Sequence, residues 1–181
     1  MIVYHGSMHC FKKLRIGKAL VDKRSTMDNE GYGIYFSTDR RTAETYGKYL
    51  YTLEIDEDYF KDFRNIDVCK AYVNDLTKYI KKKTGINLSK YVRLYDTVKR
   101  IRYGGLAISG VGREISLLLD SNENFYNDLS ESKRNRLFQI LRAYDKKHLD
   151  VYMFTYHIPN IGVIKNLNPD VVKIISREKR Y

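Results

Sequence analysis

A chain of 181 residues with 43% hydrophobic side chains is long enough to bury a core and short enough for one compact domain. Its two cysteines, Cys10 and Cys69, exclude a disulfide framework, and no Cys/His ligand spacing accompanies them, so a reduced, cytoplasmic setting without a metal is expected. The formal charge of +11 calls for acidic partners, while a mean hydropathy of −0.51 and the lack of any run of about 20 apolar residues exclude a membrane span.

Residues 1–5 read as a first strand, and His5, His9, Lys12, Lys13 and Arg15 break up any signal-peptide core. A polar connection follows over 8–30, in which Phe11, Leu14 and Ile16 could anchor a short element. Gly31 and Gly33 loosen the backbone ahead of the apolar strand Ile34-Tyr35-Phe36. A short helix over Asp39 to Tyr46 is capped by Ser37, Thr38 or Asp39 and stopped by Gly47. Alternation puts Tyr49, Tyr51, Leu53 and Ile55 on one face of a strand ending at Asp56.

The period then changes. Val68, Tyr72, Val73, Leu76 and Ile80 are at helical spacing with Gly85 as the stop, and Leu88 to Ile101 repeats the pattern up to Gly104-Gly105. Gly110 and Gly112 frame a break before Ile115 to Leu119, and a third helix is predicted from Ser130 to Lys147. Strand character returns at Val151 to Tyr156 and Val171 to Ile175, with turns at Pro159-Asn160 and Asn168-Pro169-Asp170. Strands, then helices, then strands predict one α+β domain: an N-terminal half at 1–64, a helical insertion at 65–148, and C-terminal strands at 149–181.

Two segments carry chemistry: Val3-Tyr4-His5-Gly6-Ser7, and Glu30-Gly31-Tyr32-Gly33-Ile34-Tyr35-Phe36-Ser37-Thr38. In this order, with a following helix that holds Ala43 and Tyr46, they resemble the ADP-ribosyltransferase superfamily in its PARP-like, diphtheria-toxin-like branch. That branch uses a His, a Tyr and a later acidic or amide residue. The resemblance covers residues 1–56 best and 145–176 in part. It implies a split mixed β-sheet, NAD as substrate, and cleavage of the nicotinamide–ribose bond through an oxocarbenium-like transition state. His5 would hydrogen-bond a ribose hydroxyl, Gly6 would let its backbone reach the carboxamide, and Tyr35 would offer the ring a flat face. Ser7, Thr42 and Tyr46 complete the implied NAD-binding set. Arg40 and Arg41 either meet the pyrophosphate or are solvated surface charge.

The third catalytic residue implied by the resemblance opens a late strand. Asp150 fits that position, with Glu114 and Glu178 as rivals and Asp170 as a turn residue. An Asp there favours mono-ADP-ribosylation over polymer growth. The expected protein is an NAD-dependent mono-ADP-ribosyltransferase of the bacterial or phage effector or toxin kind, with a macromolecular acceptor, protein first. The rivals are an RNA 2′-phosphotransferase that uses NAD, and a binding module without catalysis. Lys81-Lys82-Lys83, Lys90, Arg93, Lys99, Arg100 and Arg102, interleaved with Tyr91, Tyr95 and Tyr103, offer either a nucleic-acid surface over Lys81 to Tyr103 or a solvated helix face.

Overall fold

A computed structural model describes residues 1–16, 33–103, 110–153 and 160–180. Glu30, Gly31, Tyr32, the Gly104-Gly105 stop, Pro159 and the end of the predicted strand at Phe154 to Tyr156 lie outside the described residues. The chain is α+β and divides into two compact units, one formed by Met1–Lys61 with Leu149–Tyr181 and the other by Asp62–His148.

The first unit is built on a seven-stranded sheet. In chain order its strands are β1 (Ile2–Ser7), β2 (Ile34–Ser37), β3 (Tyr49–Ile55), β4 (Phe60–Asp62), β5 (Val151–Met153), β6 (Ile161–Ile164) and β7 (Val172–Lys179). Across the sheet they run β4-β5-β6-β2-β1-β3-β7. One face buries Val3, Phe36, Tyr51, Leu53, Ile55 and Met153, the apolar side of the alternation in β1 and β3. Phe11, Leu14 and Ile16 pack on this core without forming a regular element. Leu50 points the other way yet is buried as well, on the face where helix α1 (Arg40–Glu44) lies against β1 and β3. Asp39 is the cap of α1, accepting from the Arg41 and Thr42 N–H groups.

Three strands depart from the sequence expectation. β4 falls where no element is predicted. Ile161 opens β6 rather than closing a turn, and β6 is buried along its whole length between β5 and β2. β7 continues past Ile175 through Arg177, Glu178 and Lys179, a charged run that suits a strand at the sheet edge.

The second unit holds α2 (Ile66–Thr84), α3 (Leu94–Tyr103), α4 (Val111–Asp120), α5 (Glu123–Asp128) and α6 (Glu131–His148). Asn65 caps α2, and Gly85 ends it at φ 74°, the left-handed turn that favours glycine, with its N–H on the Lys81 carbonyl. The pattern from Leu88 to Ile101 is two elements, a 3-10 turn at Leu88–Lys90 and then α3; the Asn122 side chain satisfies the Tyr91 carbonyl left open between them. Gly112 does not break the chain but lies inside α4, because its N–H donates to Asp145 of α6 at 2.6 Å. The other Asp145 oxygen accepts from the Tyr72 hydroxyl of α2 at 2.9 Å, so one buried carboxylate ties three helices together.

Candidate functional site

β1 and β3 are in register from Ile2 opposite Glu54 to Ser7 opposite Tyr49, whereas β1 meets β2 at Tyr4 opposite Ser37. Next to that pair the His5 ring reaches sideways, and its Nδ1 lies 2.6 Å from the Tyr35 carbonyl oxygen. A carbonyl only accepts, so Nδ1 carries the proton and Nε2 is left with a lone pair. The ring sits beside Phe11 and Tyr51, with centroids 5.8 and 6.0 Å away, and those two rings are themselves stacked at 4.0 Å. Burial lowers the His5 pKa and outweighs the Tyr35 hydrogen bond, which raises it.

A neutral His5 with an acceptor at Nε2 is therefore the form present around neutrality. The unfolded chain takes up the proton near the ordinary histidine pKa, about 6.5, and the folded chain only at lower pH. Stability contributed by the neutral ring is thus present above about pH 6.5 and lost as pH falls through the folded pKa, no faster than about 1.4 kcal/mol per pH unit. Urea unfolding from pH 7.5 down to 5.5 is expected to show this decline, and His5→Gln to remove it; equal slopes in both proteins would refute the neutral assignment.

On the opposite face of β1 from His5, the Gly6 position is closed over by α1. A Cβ there would stand 2.0 Å from the Ala43 carbonyl oxygen and 3.0 Å from Tyr46 Cβ. Gly6 and Tyr46 are thereby neighbours, and the Tyr46 ring is 48% exposed. Tyr35 is half-buried on β2. The Thr42 hydroxyl donates to Asp39 at 2.6 Å and keeps only acceptor capacity for a ligand. The Ser7 hydroxyl accepts from the His9 N–H.

The structure sets Gly6 beside Tyr46 on one face of β1 and the His5 ring on the other, hydrogen-bonded to the Tyr35 carbonyl, and it leaves Asp150 apart from all of them. Asp150 precedes β5, with β6 standing between β5 and β2. Its carboxylate accepts from the Asn166 amide at 2.7 Å, and its carbonyl accepts from the Lys165 and Asn166 N–H groups. By the strand registers, Asp150 sits at the sheet end where β1 closes and β2 opens. The strand bonded directly to β2 is preceded instead by Asn160, at φ 69°, whose carbonyl accepts from the Thr38 N–H. Asn160 was read as a turn residue in the sequence; the Pro159-Asn160 pair gives a turn signal that hides the start of a four-residue strand.

The rival acids are otherwise engaged. Glu178 holds Arg40 at 2.6 Å, and Arg40 also reaches Glu44 at 3.0 Å, an exposed cluster linking β7 to α1. Arg40 is accordingly held by carboxylates, the surface-charge alternative, and such exposed pairs contribute little to stability. Glu114 lies in the helical unit, fully buried, with Oε2 2.7 Å from Arg100 Nε and Oε1 without a partner; burial raises its pKa against the pull of Arg100. Among the described residues no cluster of three or more His, Cys, Asp or Glu could hold a metal, and no helix is long and apolar enough to cross a membrane.

No family model, curated protein or solved structure matches this chain.

Proposed function

We propose that the sheet unit binds NAD and transfers its ADP-ribose to a macromolecular acceptor, protein first, releasing nicotinamide. The observation that carries this reading is the meeting of His5 and the Tyr35 carbonyl where β1 and β2 pair, with Tyr46 packed across Gly6 on the other face. The N-glycosidic bond from nicotinamide to C1′ breaks, its electrons leave with nicotinamide, and the acceptor nucleophile bonds to C1′ as it loses its proton. His5, neutral and protonated at Nδ1, accepts a ribose hydroxyl at Nε2. Tyr35 and Tyr46 provide aromatic surface for the nicotinamide ring, and the Gly6 backbone and the Ser7 and Thr42 hydroxyls engage its carboxamide.

Charge for the developing cation is assigned to Asp150, the acid at the correct end of the sheet.

Incubation with NAD labelled on the adenylate and a cell lysate tests the proposal. Nicotinamide is expected to appear together with label in protein bands. Tyr35→Ala should weaken NAD binding by about 1 kcal/mol, or roughly fivefold, through loss of a stacking face. Asp150→Ala should lower turnover at least about tenfold with little change in the NAD dissociation constant, the signature of a group that acts in the transition state. No nicotinamide and no NAD binding would end the transferase reading, and label or phosphate transfer confined to RNA would favour the phosphotransferase.

A further inference from the structure

The positive charge is concentrated in one unit. Asp62–His148 contains 18 Lys and Arg against 10 Asp and Glu, a net +8 of the chain's +11. Within it, a cleft of about 520 Å³ opens between the C-terminal end of α2, the 3-10 turn at Leu88–Lys90 and the first turns of α6. Four cations line it, Lys83, Lys90, Lys133 and Arg136, and no carboxylate does. Tyr91 and Leu129 form its apolar wall, with the Tyr91 ring set edge-on to Phe125 at 5.5 Å.

Local structure explains some of these charges. Lys83 at the end of α2 suits the negative end of that helix, and Lys90 pairs with Asp128 at 2.6 Å outside the cleft lining. Lys133 and Arg136 have no such explanation. Lys133 stands in the first turn of α6, where the helix dipole disfavours a cation, and Arg136 follows one turn on, with Glu131 as the acid of the first turn. Glu131 borders Arg136 on the outer side of α6, away from the cleft lining. Among the described residues neither Lys133 nor Arg136 forms an ion pair, and Lys83 instead lies 5.8 Å from the Tyr79 ring. Cations gathered at a cleft against a helix dipole repel one another until an anion arrives.

We propose that this cleft binds the phosphate backbone of a single-stranded nucleic acid. A phosphodiester chain supplies spaced charges for Lys83, Lys133 and Arg136, and a base or sugar packs on Tyr91 and Leu129. That combination of charge and ring surface is the usual basis of sequence-tolerant single-strand binding. The proposal enlarges the surface seen in the sequence, since α6 supplies half of the cations, and it does not rest on the NAD chemistry, because every residue named belongs to the helical unit.

The test is fluorescence anisotropy of the full chain with a labelled single-stranded RNA of about 15 nucleotides, read between roughly 50 and 200 mM salt. Lys83→Glu, Lys133→Glu and Arg136→Glu together are expected to weaken binding more than tenfold and to flatten the logarithmic salt slope by about 2, since each contact to a single strand contributes about 0.7. The control Lys48→Glu, Lys173→Glu and Lys179→Glu makes the same charge change in the sheet unit and should keep most of the affinity. If the reversed variant fails to fold, Lys83→Gln, Lys133→Gln and Arg136→Gln give the same comparison. Equal losses in the cleft and control variants would overturn the proposal. So would polyglutamate displacing the RNA as readily as unlabelled RNA does, a result that would assign the cleft to an acidic protein. Nicotinamide release, measured in parallel, reports on the transferase reading separately.

Discussion

Gly6→Ala is expected to unseat helix α1 from the sheet, with a loss of stability of about 3 kcal/mol or more and the loss of NAD binding together. The added methyl would stand 2.0 Å from the Ala43 carbonyl oxygen, a backbone atom that moves only if the helix moves. Overpacking in a core commonly costs about 1–3 kcal/mol when side chains can adjust, and here the obstacle is main chain. Ala43 is itself 2% exposed, and Tyr46 Cβ lies 3.0 Å from the same point, so neither side has room to give. A shift of α1 carries Thr42 and Tyr46 with it. Urea unfolding and NAD titration of the variant check both effects; a stable variant with normal affinity would show that α1 can slide on β1.

Asp145→Ala is expected to cost the helical unit about 2–4 kcal/mol, since each buried donor that loses an acceptor costs about 1–3 kcal/mol. Asp145 is 8% exposed, and its two oxygens serve the Tyr72 hydroxyl and the Gly112 N–H. Removing it takes an acceptor from both donors and opens a gap where α2, α4 and α6 converge. Tyr72→Phe deletes only one of the bonds and should cost about 1 kcal/mol, so the pair of variants separates the hydrogen bond from the junction. Thermal unfolding followed by far-ultraviolet circular dichroism reads the helical signal directly, and similar melting points for Asp145→Ala and the wild type would refute the junction.

The elements that could be read from the sequence were those whose signals are local. The alternation of β3 and the Gly85 stop of α2 work within a few residues and stand where the pattern put them, and Asp39 is the one of three candidate caps, with Ser37 and Thr38, that holds α1. β6 was missed because four consecutive apolar residues, Ile161 to Ile164, have no alternation: a central strand is buried on both faces. Leu88 to Ile101 kept one helical period across a break that is settled by Asn122, a residue from another part of the chain. Gly112 looked like punctuation because its partner, Asp145, lies 33 residues away.

The candidate site divides in the same manner. Gly6, Tyr35 and Tyr46 come from β1, β2 and the turn after α1, so their placement follows from the pairing of neighbouring strands, while the alternation of β1 turns the His5 ring to the other face. The place of Asp150 depends on strand order, and β6, later in the chain than β5, inserts between β5 and β2. Nothing in the local pattern encodes that insertion, since strands adjacent in sequence often but not always pair with their sequence neighbours.

The sheet is stitched from two stretches of chain, 1–61 and 149–180, and its β3 and β7 strands pair Leu50 with Glu178. This has a consequence for how the molecule assembles. The helical unit is one continuous stretch of chain, whereas the sheet gains its last ladder only after more than a hundred residues have been brought round. Until then β3 carries an unpaired edge rich in tyrosine and leucine, the kind of edge that another chain can pair with. The charged half of β7, from Arg177 to Lys179, then becomes the outer margin of the finished sheet, so closing this ladder replaces an edge of tyrosine and leucine with a charged one that other chains pair with poorly.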